Sequence, residues 1–525
     1  MGSMKTPGVY IVEKSAFPNS VVEAPTAIPA FIGITEKAVN GKDELKGKPW
    51  KISSMTEYLK YFGGGPEEKF ILSIKQTDGP VSADCLFTHT VEYKETITVE
   101  NADGEGGENA SAEKSAKYVF SAKRQNKNRF TLYYQMKMFF ANGGGTCYIV
   151  SVGTYADNQL LSKDMVSSAV TALEKEQEIT MVVIPEAVYS PSCWDLQVMA
   201  LNHCGKMQNR FSILDVQAKA AENQTMEEQI KEFQTNIGNN DLSYGAAYYP
   251  WLETSLLTEN DIMAEMFVWD ADTERDFKAF FAAGSNLLNY ANATLGEMLS
   301  GNVPAYKKVE FHGALLQNWS TYQLMIKQVK NYLNLLPPSA SMAGLYTMVD
   351  NSRGVWKAPA NVSVNYVLKP EVILNNREQE DLNVPTNGKA INAIRSFIGE
   401  GIKVWGARTL DGNSLDWRYI NVRRTMIFLE ESVKNAARAY VFEPNDANTW
   451  LNMKCMIENF LRGIWKRGGL VGSVPEDAFS VHVGLGDTMT PEDILEGIMR
   501  ITVLVAISHP AEFIEITFQQ QMQKS

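Results

Sequence analysis

The sequence predicts a mixed α/β (α+β) protein of more than one domain, and three observations carry that expectation. The chain has 525 residues, more than one hydrophobic core usually organises. Continuous apolar runs of the buried-strand type, "GTCYIVSVG" (145–153), "ITMVVIPEA" (179–187), "RFSILDV" (210–216) and "GAAYYPWL" (245–252), are interleaved with helical stretches. The last third carries the clearest helical periodicity of the chain.

Taken in order, residues 4–35 do not read as the start of a compact domain. Pro7, Pro18, Pro25 and Pro29 exclude helix over most of the stretch, yet it is rich in Val, Ile, Tyr and Phe. Val9, Tyr10, Ile11 and Val12 alternate as in a short strand, so an extended apolar arm that needs a partner is expected. "VEYKETITVE" (91–100) alternates as a half-exposed strand, and "NADGEGGENASAEKSA" (101–116) reads as a polar loop. A small exposed β insertion over about 66–128 follows from these two stretches. "FKAFFAAGSNLLNYANATLGEMLS" (277–300) and "SMAGLYTMVD" (341–350) supply helices.

In "NDANTWLNMKCMIENFLRGIWKRGG", Trp450, Met453, Ile457, Phe460, Leu461 and Ile464 form one apolar stripe. Asn445 or Asp446 caps its start, and Gly468 and Gly469 stop it. Thr490 is an N-cap with Pro491 behind it at the first helical position. At residues 510–525, Ile514, Ile516 and Phe518 alternate with Glu515 and Thr517, next to Phe513, and a terminal strand is expected.

Composition narrows the function classes. Lys plus Arg total 49 against 61 Asp plus Glu, a net charge of −12, which argues against nucleic acid as the main partner. The longest apolar run, "ITVLVAIS" (501–508), is too short to span a bilayer, so no direct membrane insertion is expected. Gly2 and Thr6 fit the myristoylation pattern, although "MGS" ahead of Met4 also reads as a cloning remnant. The five cysteines include no CxxC pair. Cys193, His203 and Cys204 could supply three metal ligands, and a half-buried helix accounts for them equally well. No phosphate loop, GxSxG elbow or HExxH motif occurs, so no catalytic, metal or cofactor-binding residue is assigned, no cofactor is expected and the chain is not expected to be an enzyme.

One electrostatic feature stands out. In "NVRRTMIFLEESVKNAARAY" (421–440), Val422, Met426, Leu429, Val433 and Tyr440 form the face expected to be buried, while Arg423, Lys434 and Arg438 gather on another. Two readings stand: a solvated face in which Glu430 pairs with Lys434, or a basic stripe that steers an acidic partner.

"TPGVYIVEKSAFPNSVVEAPTAIPAFIGITEKA", "PPSASMAGLYTMVDNSRGVWKAPAN", "INAIRSFIGEGIKVWGARTLDGNSLDWRYINVRRTMIFLEESV", "FEPNDANTWLNMKCMIENFLRGIWKRGGL" and "PEDILEGIMRITVLVAISHPAEFIEITF" resemble contractile tail sheath proteins of phages and phage-like particles. "FFANGGGTCYIVSVG", "NRFSILDV" and "AAYYPWL" are similar to the middle domain of the same family, and the stretch at about 66–128 resembles it least.

The resemblance implies a structural subunit that forms hexameric rings and a helical array around an inner tube protein, with baseplate and cap proteins as further partners. It implies contraction that drives the tube through a target envelope, and assembly in the bacterial cytoplasm as part of a phage tail or tail-like particle, retained or released. It divides the chain into a linking arm (1–35), a polymerising core (36–65 and 345–510), an inserted outward domain (66–344) and a C-terminal strand arm (511–525). Val9 to Val12, Phe513, Ile514, Ile516 and Phe518 would then join neighbouring subunits by strand addition. Arg423, Lys434 and Arg438 become tube-facing candidates. Residues 336–361 fall where the outward domain returns to the core, with Pro337 and Pro338 stiffening a joint that Asp350 and Arg353 tie down. A motif-poor α/β enzyme, or a surface-array or adhesion protein, are the alternatives.

Overall fold

The computed structural model describes residues 21–76, 85–99, 110–218, 224–269 and 304–517. The expected strand at Val9 to Val12, the helix at 277–300 and Phe518 lie outside them.

Along the chain, strand β1 (Pro29–Thr35) and β2 (Trp50–Ile52) precede helix α1 (Met55–Phe62). Strands β3 (Phe70–Gln76), β4 (Phe87–Val99) and β5 (Ala110–Arg124) follow, then α2 (Leu132–Ala141). The alternating region contains β6 (Cys147–Thr154), α3 (Lys163–Leu173), β7 (Met181–Val183), α4 (Cys193–Met207), β8 (Phe211–Asp215), α5 (Met226–Asn236) and β9 (Gly245–Tyr249). Next come β10 (Leu252–Thr254), β11 (Phe267–Trp269), α6 (Ala305–Asn318), α7 (Ser320–Asn334), β12 (Leu335–Leu336) and α8 (Ser339–Arg353). The remainder is β13 (Val362–Ser363), β14 (Val367–Pro370), α9 (Asn376–Asn383), β15 (Ile391–Phe397), β16 (Gly401–Val404), α10 (Ile420–Ala437), α11 (Ala447–Lys466), β17 (Phe479–His482), α12 (Pro491–Leu495) and β18 (Thr502–Val505).

A nine-stranded sheet in the order β13-β16-β15-β9-β8-β7-β1-β6-β2 is the frame of the molecule. Its six inner strands, β15 to β6, pair in parallel, and antiparallel strands close both edges. Parallel strands covered on both faces need apolar side chains in both directions, which is why these runs are continuous rather than alternating. Phe31, Ile149, Val183 and Ile213 pack on one face with Phe139 of α2 and Tyr346 of α8. Ile32, Val150 and Val182 pack on the other with Val166 of α3 and Leu196 of α4.

The helices of the first face are held by buried carboxylates. Glu186 accepts the N–H groups of Ile34 (2.7 Å), Thr131 (2.6 Å) and Leu132 (3.0 Å), joining β1 to the start of α2. Asp215 accepts the N–H of Ser339 at 2.8 Å and does the same for α8. Each negative charge faces the positive end of a helix. Burial pushes both carboxyls up to about 7, against the pull of these N–H groups. At Gly344 a methyl group would lie 2.5 Å from the carbonyl oxygen of Phe139, so α8 and α2 meet backbone to backbone and only glycine fits.

Three expected boundaries change. All seven residues of β1 are buried inside the sheet, between β7 and β6, so residues 29–35 are not part of an arm. Pro29 opens the strand, where a missing N–H is tolerated. The divisions at 65/66 and 344/345 also cut through this sheet, whose strands come from both sides of each.

A second unit sits on the frame. Strands β11-β3-β5-β4 form a four-stranded sheet whose Phe70, Leu72 and Phe120 pack with Trp319, Tyr322 and Met325 around α7. The β insertion is therefore not free-standing, because residues 262–269 and 311–333 complete its core. Residues 110–116, expected in a loop, extend β5, since register with β4 runs on to Val99 opposite Ala110.

The third unit gathers α10, α11 and the β17–β18 pair around Phe428, Ile457, Leu461 and Val481. The stripe expected on α11 is its buried face at Met453, Ile457, Leu461 and Ile464, with Met456 added, while Phe460 is partly buried. Asp446 is the cap, accepting the Thr449 N–H at 2.9 Å.

Candidate assembly interface

Helix α10 lies between the third unit and the nine-stranded sheet, and its burial separates its arginines. Arg423 is buried, with its guanidinium 3.9 Å from the Tyr244 ring centre and 4.5 Å from that of Trp417. Burial lowers its pKa, Tyr244 opposing. It faces the interior and is not tube-facing, which corrects the sequence expectation. The physical reason is that Tyr244 and Trp417 offer two aromatic faces to a weakly hydrated planar cation.

Arg424, the next residue, is the central contact of the region. It donates to both Asp350 oxygens, at 2.9 and 2.6 Å, and to the Thr26 carbonyl at 2.9 Å, above the Tyr346 ring. Both charged side chains are nearly sealed from solvent, at 4% and 2% exposure. Burial opposes the charge on Arg424, and the Asp350 carboxylate outweighs it, so the pKa is raised. Through this pair α8, α10 and the segment before β1 are locked together. Asp350 thus pairs with Arg424, while Arg353 is exposed in the last turn of α8.

Pro337 and Pro338 lie where the chain passes from α7 in the second unit to α8 on the sheet. That passage is held by Arg129, which donates to the carbonyls of Tyr332 (2.8 Å) and Leu335 (2.7 Å), and by Gln135, which donates to that of Pro337 (3.1 Å). Asp350 and Arg353 stand at the opposite end of α8 and take no part in it.

Lys434 and Arg438 are exposed. The partner of Lys434 is Glu431 at 3.2 Å rather than Glu430. Next to them Phe442 is fully exposed with φ +71, an uncommon backbone conformation for a bulky side chain. Helical spacing gave no signal for it, because it lies beyond the helix.

Phe513, Ile514 and Ile516 are 74%, 78% and 69% exposed, and residues 511–517 form no strand. Among the described residues the expected terminal strand is therefore absent. Alternation becomes a strand only when a neighbouring edge supplies hydrogen bonds, and no described segment does so. Upstream, Glu512 is held firmly. It accepts from Arg408 Nε (2.9 Å) and Nη2 (2.7 Å), Asn383 Nδ2 (2.6 Å) and the Tyr419 hydroxyl (2.9 Å).

The possible metal ligands are accounted for by packing. Cys193, His203 and Cys204 are buried on α4; His203 Nε2 meets Arg210 Nη1 at 2.9 Å, and Cys193 Sγ accepts from Gln197. Among the described residues no three metal-ligating side chains converge.

An exposed apolar segment that follows a firmly held residue is suited to contact with another polypeptide. Residues 413–521 match the family of the phage tail sheath C-terminal domain. The tail sheath protein of Burkholderia phage BcepMu is 29% identical over 192 residues, 34% of this chain and 39% of that protein. That of Vibrio phage KVP40 is 28% identical over 138 residues, 26% of this chain and 20% of that protein. The matched stretches therefore span well under half of these relatives. Among solved structures, the sheath complex of PVC, an extracellular contractile injection system, in its contracted state is 25% identical, with a TM-score of 0.58 over 99% of each chain. A chain of the anti-feeding prophage baseplate is 25% identical, with a TM-score of 0.57 over 99% of this chain and 100% of that one. Residues 413–521 thus carry the likeness to the phage tail sheath C-terminal domain, and over its full length the chain is similar to sheath subunits of contractile injection systems.

Proposed function

We propose that this chain is the sheath subunit of a contractile injection machine. It polymerises as stacked hexameric rings around an inner tube and contracts to drive that tube through a target envelope. The observation that carries this reading is the apolar tail at 513–516, exposed on a chain whose full length follows that of a contracted sheath subunit. Head-to-tail strand addition between copies lets an array propagate, and a flexible tail keeps neighbours joined while rigid bodies move past one another. The anti-feeding prophage baseplate, solved with sixfold symmetry applied, supports the hexameric ring. The likeness to PVC, an extracellular contractile injection system, favours a released particle over a phage tail, assembled first in the bacterial cytoplasm with tube, baseplate and cap proteins. The mechanism requires no bond chemistry, and the chain acts as a structural protein rather than an enzyme.

Deleting residues 4–20 is expected to leave a folded monomer, because the strap before β1 and the sheet remain, and to abolish polymers. Intact tubes from this variant, seen by electron microscopy, would exclude a linking role for that segment. Lys434 and Arg438 remain the candidates for a tube-facing surface. The double charge reversal Lys434→Glu/Arg438→Glu is expected to reduce co-sedimentation with the tube about tenfold while tube-free polymers persist. Unchanged co-sedimentation would make these two residues ordinary surface.

A further inference from the structure

The tail is not attached to its own subunit evenly. Asn421 Nδ2 donates to the Ser508 carbonyl at 2.9 Å, and the His509 ring meets Tyr419 edge to face. Glu512 is then gripped by Arg408, Asn383 and Tyr419, with its side chain 19% exposed. One residue later the attachment ends, and Phe513, Ile514 and Ile516 stand in solvent.

The grip belongs to the sheet rather than to the third unit. Arg408 is buried, and its remaining donors reach the carbonyls of Asn383 (3.3 Å) and Gly412 (3.4 Å). Its own N–H donates to Asn392 Oδ1 on β15 at 2.8 Å. Asn392 Nδ2 donates in turn to the carbonyls of Arg408 (2.8 Å) and of Ala247 on β9 (3.2 Å). A carboxylate that takes four charge-assisted or hydroxyl bonds, two of them from an arginine tied through Asn392 to two parallel strands, is a rigid attachment. The third unit touches it only through Tyr419, at the head of α10.

We propose that Glu512 is the fixed pivot of the C-terminal tail. It ends the attachment of the tail to its own subunit and presents residues 513–517 to a second copy of this chain. Tension on that segment then passes through Arg408 into the nine-stranded sheet as well as along the backbone into the third unit. The proposal rests on the reading of the tail as an inter-subunit strand, and Glu512 acts as a positioning residue for it.

The test uses the full-length chain with Glu512→Gln and Tyr419→Phe, beside a truncation lacking 513–525. Two readouts are taken: chymotrypsin cleavage after Phe513 below the polymerisation threshold, and the concentration at which polymers sediment. Glu512→Gln removes the charge and sets an amide N–H₂ against the Arg408 donors. It is expected to speed cleavage and raise the threshold, each about tenfold, as for loss of a charge-assisted hydrogen bond. Tyr419→Phe removes one bond, keeps the ion pair and serves if Glu512→Gln fails to fold; a smaller rise in both readouts is expected. If both variants match the parent while the truncation does not polymerise, the pivot is wrong and the tail reading stands. If the truncation polymerises like the parent, the tail reading itself is wrong.

Discussion

Arg424→Ala is expected to cost about 3–5 kcal/mol of folding stability, the usual penalty for breaking a buried ion pair from one side. Asp350 would be left as a buried charge without its guanidinium partner, and the Thr26 carbonyl would lose its donor. Because the pair joins α8 to α10, the effect also reaches the placement of the third unit on the sheet. Replacing both partners, as in Asp350→Leu/Arg424→Met, is expected to recover most of the loss, since the desolvation cost disappears with the charges. Urea unfolding of the parent, the single and the double variant decides the matter. A loss below about 1 kcal/mol for Arg424→Ala would mean that the pair contributes no more than an exposed one.

Truncation before Phe513 is expected to have the opposite profile. Phe513, Ile514 and Ile516 are mostly exposed on their own subunit, so folding stability should change by less than about 0.5 kcal/mol. Polymerisation should be lost, because strand addition to the sheet edge of a second copy is the joint proposed for this tail. Analytical ultracentrifugation with thermal unfolding separates the two effects. A truncated chain that unfolds early would show that the tail supports its own subunit, and one that polymerises would show that it joins nothing.

The sequence made the local elements legible where side-chain periodicity reports burial directly. The strands at 147–154, 211–215 and 245–249 and the stripe of α11 follow from their patterns. The partners that matter came from elsewhere in the chain. Asp350 has an arginine three residues on, yet its partner is 74 residues away. The signal for Arg424 was present: with Ile420, Ile427 and Phe428 it falls on one side of α10, an apolar stripe with a single cation. Arg423, one position earlier, is turned by about 100° and lies between Tyr244 and Trp417, a pairing that only the fold supplies. The prolines around 25–29 suggest an arm, and the parallel pairing that places β1 inside the sheet was out of reach, because its parallel neighbours lie more than a hundred residues away in sequence. At the tail, the alternation suggests a strand, but a strand needs a paired edge, and no described segment of the same chain pairs with residues 513–517.

The central claim is that this chain builds a sheath. Electron microscopy of the purified full-length chain across a concentration series tests it most directly. Tubes of stacked rings with sixfold symmetry, appearing above a threshold concentration, are the expected result. A chain that stays monomeric at every concentration, with and without the tube protein, would contradict it.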